Sequence, residues 1–332
     1  MPQDHSAQPP PQDSRPASPK AVAWSWSAAA RGAVYALPGG VAALHDPAQG
    51  IALAVGVLPA AAMPLPARRR LRLVAVVAGL CVGLPMVLGA VLVQNTWTAV
   101  AGVFALAVGT ALLAARRPAG GLLMSLCLPM VGAGFSYPDV GQALGLAALM
   151  LAGSAYAWVV SLAWPVSAPQ NRPAPALPER SAALGYGVRL GLAGAVTAAF
   201  GLALAPTHPG WPVAAALLVM RPAPQMQRLR SVGRVLSVLA GGLAALALLH
   251  LAPPGWGYGV GAVCTVALAA ATRGSRWYIM PAFVTFLVLV MMLLPAPARE
   301  QAGFDERLAA TLFGVAVAYL FGLAVPRLLG RS

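Results

Sequence analysis

The stretch that decides the fold is Gly210-Trp-Pro-Val-Ala-Ala-Ala-Leu-Leu-Val-Met-Arg-Pro-Ala-Pro-Gln-Met-Gln-Arg-Leu-Arg-Ser-Val-Gly-Arg-Val-Leu-Ser-Val-Leu-Ala-Gly-Gly242. An apolar run is followed by a short polar interval that contains Arg221, Arg228, Arg230 and Arg234, and then by a second apolar run. A charged side chain is costly inside lipid and stable in the water beside it. The pattern therefore indicates two membrane-embedded helices joined by a basic connection.

The composition of the whole chain is typical of membrane proteins. Of its 332 residues, 59% are hydrophobic and only 9% are charged, whereas soluble domains carry about 25% charged residues. A surface with so few charges requires lipid as its main solvent. The net charge of +14 does not indicate nucleic-acid binding, because the basic residues lie in short clusters and do not alternate with aromatic residues.

Apolar runs divide the chain into two halves with six predicted helices each. Residues 1–24 are rich in Pro, Ser and Gln, which predicts a disordered tail. The first half occupies 28–165, a Pro-rich linker occupies 166–182, and the second half occupies 183–329. The predicted helices cover 30–45, 49–66, 71–93, 97–115, 119–136, 142–165, 183–205, 209–221, 229–251, 255–272, 276–295 and 306–329.

Every second connection between these helices is basic. The arginines concerned are Arg68, Arg69, Arg70 and Arg72, Arg116 and Arg117, Arg172 and Arg180, the cluster from Arg221 to Arg234, and Arg273 and Arg276. Lys and Arg are enriched on the cytoplasmic side of membrane proteins. This alternation and the even number of helices predict a multi-pass protein of the plasma membrane with both termini in the cytoplasm.

The two halves are similar in sequence. Arg72-Leu-Val-Ala-Val-Val-Ala-Gly79 matches Arg234-Val-Leu-Ser-Val-Leu-Ala-Gly241 nearly position for position, and Trp97 and Trp256 open the helix that follows. Six helices per half give both halves the same orientation in the membrane. We therefore predict an all-α membrane protein of about twelve transmembrane helices, built as two parallel six-helix repeats related by a pseudo-two-fold axis along the membrane normal.

Four arginines are candidates for binding an anion. Arg31 and Arg189 lie near the start of the first helix of each half, and Arg72 and Arg234 near the start of the third. A permanently charged guanidinium near a helix N-terminus adds to the positive end of the helix dipole. We predict that the four converge at the cytoplasmic mouth of a cavity between the halves. The alternative is that they contact lipid phosphates and only fix the orientation of the helices.

The chain offers few other groups for chemistry. None of its eight acidic residues falls in the middle of a predicted helix. His45, Asp46 and His208 lie near the predicted outer ends of helices and are the candidates for titration, although a solvated interfacial position is the simpler explanation. No residues have the spacing of a metal site, a phosphate-binding loop or a Ser-His-Asp arrangement. We therefore expect neither a metal nor a cofactor, and a protein that is not an enzyme.

Four runs of the second half carry a further signal. They are Pro209-Gly-Trp-Pro-Val-Ala-Ala-Ala-Leu-Leu-Val-Met-Arg-Pro222, Gly233-Arg-Val-Leu-Ser-Val-Leu-Ala-Gly-Gly242, Tyr278-Ile-Met-Pro-Ala-Phe-Val-Thr-Phe-Leu-Val-Leu-Val290 and Glu306-Arg-Leu-Ala-Ala-Thr-Leu-Phe-Gly-Val-Ala-Val-Ala318. Together they resemble the membrane domain of the fusaric acid resistance-like, or aromatic acid exporter, family over residues 205–326. The first half resembles a diverged copy, and the chain is distantly similar to the plant aluminium-activated malate transporters.

This resemblance implies an integral membrane transporter that exports small organic anions such as aromatic carboxylic acids. It places the basic motif of the family at Arg234 and, through the internal repeat, at Arg72. The expected partners are the lipid bilayer and the anion, and a homo-oligomer is left open. Ser237-Val238 stand where the family usually has Gly-Thr, so a non-transporting membrane scaffold is the alternative. An intramembrane enzyme is disfavoured because the chain has no catalytic cluster.

Overall fold

The computed structural model describes residues 22–165, 177–204, 207–275, 279–294 and 300–328. Within these residues the regular structure is entirely helical, which confirms the all-α prediction. The twelve helices are α1 Trp26–Ala42, α2 Pro47–Ala62, α3 Val74–Leu92, α4 Thr96–Ala114, α5 Pro118–Gly134, α6 Val140–Ala163, α7 Arg180–Leu204, α8 Gly210–Val219, α9 Pro224–Leu251, α10 Gly255–Ala271, α11 Ile279–Leu293 and α12 Glu300–Leu328.

Irregular turns interrupt or precede three of these helices. A 3₁₀ turn, Arg69–Leu73, leads into α3. The helices α5 and α12 each contain a π-helical turn, Leu123–Cys127 and Leu320–Ala324. Most of the predicted tail and most of the predicted linker lie outside the described residues.

Six of the helices are long and apolar enough to cross a membrane. They are α3 together with its 3₁₀ turn, α4, α6, α7, α9 and α12. The helices α2, α5, α8, α10 and α11 are also apolar, but they have only 10 to 17 residues, and a full crossing takes about 20. The chain is therefore a multi-pass membrane protein, and the crossing of all twelve helices stays a prediction.

Polar residues in the turns fix where several helices begin. Asp46 Oδ1 accepts hydrogen bonds from the backbone nitrogens of Ala48 and Gln49 at 2.9 and 3.1 Å. Asn95 and Asp139 cap α4 and α6 in the same way. A side-chain oxygen at this position satisfies backbone N–H groups that have no partner within the helix. Asp46, one of the predicted titratable residues, is thus engaged in starting α2.

The helices pack in pairs that correspond between the two halves. The contact of α1 with α10 corresponds to that of α7 with α4, and the contact of α2 with α6 corresponds to that of α8 with α12. Likewise α3 packs on α5 and α6 as α9 packs on α11 and α12. The contacts of α2 with α11 and of α8 with α5 join the halves at the centre. Each half therefore exchanges helix contacts with the other, instead of forming a separate bundle.

Glycines allow close packing in two of the contacts that join the halves, α1 with α10 and α7 with α4. A Cβ added at Gly32 in α1 would lie 2.7 Å from the Cβ of Ala270 and 2.8 Å from the carbonyl oxygen of Val266 in α10. A Cβ added at Gly187 in α7 would lie 2.7 Å from the Cβ of Ala111 in α4. Small residues let helix backbones approach closely in membranes, where packing drives association. Both contacts thus depend on a missing side chain.

The shortest helix, α8, is enclosed by other helices. Its ten residues extend about 15 Å, which is half of the roughly 30 Å hydrocarbon core of a bilayer. Nine of the ten are buried, and α8 contacts α5, α7, α9 and α12. A helix end at membrane depth is tolerated only where protein or a water-filled cavity surrounds it. The C-terminal end of α8 is therefore a natural position for a cavity.

Candidate anion site

A cavity of about 280 Å³ opens beside the C-terminal end of α8. Side chains from α8, α9 and α11 line it: Leu218, Val219, Arg230, Arg234, Met280, Pro281 and Val284. Two guanidinium groups thus face a cavity that is otherwise apolar. This is the composition expected of a pocket for an anion with an apolar body.

Arg234 is the most deeply buried cation of this cavity. It lies in the third turn of α9, and only 4% of its surface is exposed. Its terminal nitrogen donates one long hydrogen bond, 3.4 Å, to the hydroxyl of Thr285 in α11. Its Nε has no hydrogen-bond partner among the described residues. Arg234 therefore lines the cavity and retains donor capacity that the described residues do not use.

A second buried cation, Arg307, lies close to Arg234. It belongs to the second turn of α12 and is 6% exposed. Its guanidinium carbon lies 4.9 Å from the centre of the Trp211 ring, a cation–π contact. Its Nε also lacks a hydrogen-bond partner among the described residues, and it is within electrostatic range of Arg234.

The two guanidinium groups form an uncompensated pair of positive charges. Among the described residues, neither lies within salt-bridge distance of a carboxylate. Like charges repel strongly in a medium of low dielectric constant, and a buried charge is tolerated when it is paired or hydrated. Two buried cations without a carboxylate beside them have the electrostatic character suited to an anion.

Arg221 closes the C-terminal end of α8. Its guanidinium donates hydrogen bonds to the carbonyl oxygens of Met220 at 2.6 Å and Leu217 at 3.4 Å. These carbonyl groups have no partner within the helix. Burial lowers the pKa of Arg221, and the nearby phenol of Tyr186 partly offsets that effect. The first arginine of the deciding stretch is thus a helix cap.

An ion pair formed by His208 and Glu306 lies beside Trp211. His208 Nδ1 lies 3.0 Å from Glu306 Oε2, and the His208 backbone nitrogen donates to Glu306 Oε1 at 3.0 Å. The imidazole stacks on the Trp211 ring with centroids 3.9 Å apart. Trp211 is only 2% exposed, so its side chain packs inside the protein. His208, a predicted titratable residue, is therefore joined to the surroundings of Arg307.

A second cavity, of about 330 Å³, lies between the C-terminal end of α7, the start of α8 and residues 306–313 of α12. Its lining is mainly apolar and includes Phe200 and Phe313, whose ring centroids are 5.5 Å apart. Thr207 and Glu306 contribute the polar part of the lining. Through Glu306 this aromatic cavity adjoins the ion pair with His208.

The structure separates the four predicted arginines into three places. Arg31 and Arg72 are buried, and Arg31 lies in electrostatic range of both Arg72 and Arg273. Arg234 lines the cavity beside α8. Arg189 is half-buried and donates to the carbonyl oxygen of Gly185 in its own helix at 3.1 Å. The geometry does not bring them to one vestibule, and their role as anion ligands stays a prediction.

The structural register explains why Arg31 and Arg189 differ. The partners of Gly32 in α10 and of Gly187 in α4 occupy the same positions after Trp256 and Trp97. Gly32 therefore corresponds to Gly187, and Arg31 corresponds to Tyr186, not to Arg189. The sequence pairing placed Arg189 almost one helical turn away from the equivalent position.

Arg307 is the residue that sequence reasoning missed. The predicted helix began at residue 306, which placed Arg307 at a helix end, whereas α12 begins at Glu300 and carries Arg307 into its second turn. The acidic and polar residues Glu300, Gln301 and Asp305, which are compatible with the first turns of a helix, are the signal in the sequence for this earlier start.

The remaining predicted site residue, His45, is exposed. Within the described part of the chain, no group of three His, Cys, Asp or Glu side chains could hold a metal ion.

The fold and these buried cations define a multi-pass helical membrane protein with a candidate anion site in its second half. Residues 192–321 match the family model described as fusaric acid resistance protein-like. The second half is therefore similar to that family over these residues, and the resemblance to the fusaric acid resistance-like family seen in the sequence is confirmed. The matched range includes Arg234, Arg307, His208 and Trp211. No curated protein and no solved structure matches the chain.

The family match and the apolar helices together indicate a protein related to membrane transport. The match lies entirely within the second half and does not include the first half, which carries the buried pair Arg31 and Arg72.

Proposed function

We propose that the chain is a membrane transporter that exports small organic acid anions, with aromatic carboxylates as its substrate class. The carboxylate group binds between Arg234 and Arg307. The observation that carries this proposal is the pair of buried guanidinium groups with unpartnered Nε atoms and no carboxylate beside them among the described residues. A carboxylate accepts hydrogen bonds from guanidinium groups in a geometry suited to both partners.

The body of the anion occupies the apolar part of the lining. Beside Arg234, the cavity presents Met280 and Val284, which suit an apolar or aromatic group. Phe200 and Phe313 in the outer cavity offer surfaces on which an aromatic ring stacks. Two cavities that combine apolar walls with charged groups therefore support an aromatic acid over an inorganic anion as cargo.

We further propose that the chain consists of two parallel six-helix repeats, 28–165 and 183–329, with both termini in the cytoplasm of a cell whose plasma membrane it spans. The corresponding helix pairs of the two halves support this arrangement. Arg68, Arg69 and Arg70 are exposed, as expected of cytoplasmic anchors. The cavity at Arg234 then opens toward the cytoplasm, near the start of α9.

The membrane potential supplies a driving force in this orientation. A cell interior that is negative by 100 mV favours the exit of one negative charge by about 2.3 kcal/mol. The positive charges at Arg234 and Arg307 lower the electrostatic barrier for an anion at membrane depth. Export of a monovalent carboxylate thus requires no energy from nucleotide hydrolysis.

The proposal is tested by efflux from proteoliposomes that contain the purified chain and labelled benzoate. Wild type is compared with Arg234→Gln and Arg307→Gln, each of which keeps hydrogen-bonding capacity but loses the charge. Loss of one charge-assisted interaction of about 2 kcal/mol corresponds to a roughly 30-fold weaker binding of the anion. Efflux is expected to fall accordingly at subsaturating benzoate.

The matched control is Arg117→Gln, because Arg117 is exposed in the turn before α5 and lines neither cavity. It is expected to leave efflux unchanged. Absence of benzoate efflux from wild-type proteoliposomes would favour a membrane scaffold. Equal efflux from all four proteins would remove Arg234 and Arg307 from the site.

A further inference from the structure

Three arginines meet at the C-terminal end of α2, in the first half of the chain. Arg31 comes from α1, Arg72 from the 3₁₀ turn before α3, and Arg273 from the turn after α10. Arg31 lies within electrostatic range of both Arg72 and Arg273. We refer to Arg31, Arg72 and Arg273 as the first-half arginine cluster.

Arg72 is almost completely enclosed, with 1% of its surface exposed. Its guanidinium donates to the carbonyl oxygens of Pro66 at 3.1 Å and Trp164 at 3.0 Å, and also to that of Ser161. Its remaining terminal nitrogen has no partner among the described residues. Arg72 therefore ties α3 to the end of α6 and still holds one unused donor.

Arg31 is held less completely. It is 3% exposed, and its guanidinium carbon lies 5.9 Å from the centre of the Tyr35 ring. Its Nε and one terminal nitrogen have no hydrogen-bond partner among the described residues. Arg273 donates to the carbonyl oxygen of Met63 at 3.0 Å. The cluster thus contains several buried donors that the protein does not satisfy.

The charge of the cluster is also uncompensated. Among the described residues no carboxylate lies within salt-bridge distance of these three arginines. Backbone carbonyls supply only partial negative charge, and a water molecule would satisfy donors without neutralising them. Buried cations at close range require a full negative charge to offset their repulsion and their loss of hydration.

The space available is small. A cavity of about 20 Å³ lies at the end of α2, and Arg72 and Tyr35 line it together with Met63, Pro66 and Ser161. This volume is close to the minimum that holds one water molecule. It admits a monatomic anion and excludes a phosphate group, whether free or on a lipid.

We propose that the first-half arginine cluster binds one monatomic inorganic anion, chloride under physiological conditions, which holds α1, α2, α3 and α10 together. The unpartnered donor of Arg72, which lines the cavity, is its ligand, and the neighbouring Arg31 supplies further positive charge. This site is separate from the pair Arg234 and Arg307, and it does not depend on the proposed transport of organic anions.

The test measures thermal unfolding of the purified full-length chain in detergent. Sodium chloride is added at constant ionic strength against sodium gluconate, so that screening is equal throughout. The wild-type unfolding midpoint is expected to rise with chloride and to saturate, because the anion binds the folded state. Bromide is expected to act like chloride, and bromide-derivative crystals to show an anomalous peak beside Arg72.

Arg31→Gln is expected to raise the chloride concentration for half of this effect about tenfold or more, and Arg273→Gln serves if the first variant does not fold. The matched control Arg189→Gln keeps the wild-type response. Equal midpoints in chloride and gluconate, or the same response in wild type and both cluster variants, would overturn the proposal. Stabilisation by phosphate or by phosphatidylglycerol that Arg31→Gln removes would overturn the assignment to a monatomic anion.

Discussion

The guanidinium of Arg307 lies against the ring of Trp211, with 4.9 Å between the guanidinium carbon and the ring centre. The same ring stacks on His208 at 3.9 Å, and its Nε1 donates to the sulfur of Met292 at 3.3 Å. Trp211 therefore connects a buried cation in α12 with the His208–Glu306 ion pair and with α11. The position of Arg307 depends on this aromatic side chain.

Substitution Trp211→Phe tests this dependence. Phenylalanine keeps an aromatic face but loses the Nε1–H donor and part of the buried area and cation–π attraction. We expect the free energy of unfolding to fall by about 1–2 kcal/mol. The measurement is the unfolding midpoint in detergent, with Trp256→Phe as the control, because Trp256 is 60% exposed. An equal loss in both variants would show that the stacking contributes nothing specific.

Removal of the charge of Glu306 is expected to weaken the connection between α8 and α12. Glu306→Gln retains an oxygen that accepts from the His208 backbone but loses the ionic part of the contact. Because the side chain is partly exposed, we expect a loss of about 1 kcal/mol in unfolding free energy. Asp305→Asn is the control, since Asp305 is exposed and bonds to Gln301 in its own helix. Identical thermal unfolding of the two variants would contradict the assignment.

Gly32 is expected to be intolerant of any side chain. Gly32→Ala places a Cβ against Ala270 and Val266, and overpacking of this kind costs about 1–3 kcal/mol. Gly109→Ala in α4 meets nothing within 4 Å, so the higher helix propensity of alanine leaves stability unchanged or raises it by up to about 1 kcal/mol.

Unfolding midpoints of both glycine variants, and of Gly187→Ala in the corresponding contact, decide between these outcomes. Gly32→Ala and Gly187→Ala are expected to cost similar amounts if the two halves share one packing scheme. A large difference between them would argue against equivalent contacts.

The proposed orientation predicts which turns face the cytoplasm. Single cysteines at Arg69 and at Gln94 are introduced after Cys81, Cys127 and Cys264 have been replaced by Ala. A membrane-impermeant maleimide added to intact cells is expected to label Gln94→Cys and to label Arg69→Cys only after lysis. Labelling of both positions in intact cells would show that α3 does not cross the membrane.

Much of the fold could be predicted because lipid imposes a simple pattern. Apolar runs separated by polar turns predict the number and order of the helices. The capping roles of Asp46 and Asn95 were not predicted and are seen in the structure. Boundaries were less certain where a polar first turn precedes the apolar run, as at Glu300 in α12. The predicted start at residue 306 lies six residues after the observed start of α12, so the burial of Arg307 was not predicted.

The site was harder to predict, since burial depends on which helices are neighbours. Arg72 and Arg234 occupy similar sequence contexts, yet Arg72 donates to backbone carbonyls at the end of α6, whereas Arg234 faces a cavity beside α8. Trp211 is buried and contacts Met292 in α11 and Arg307 in α12. Contacts between helices that are distant in sequence make these distinctions, and a single sequence does not contain them.

The central claim is that a carboxylate anion binds between Arg234 and Arg307. Its most direct test is isothermal titration calorimetry of benzoate binding to the purified chain in detergent. The account predicts one saturable site whose dissociation constant rises about 30-fold in Arg234→Gln and in Arg307→Gln and is unchanged in Arg117→Gln, in which an exposed arginine is replaced. The same dissociation constant in all four proteins would contradict the account, because the anion would then bind without the two buried guanidinium groups.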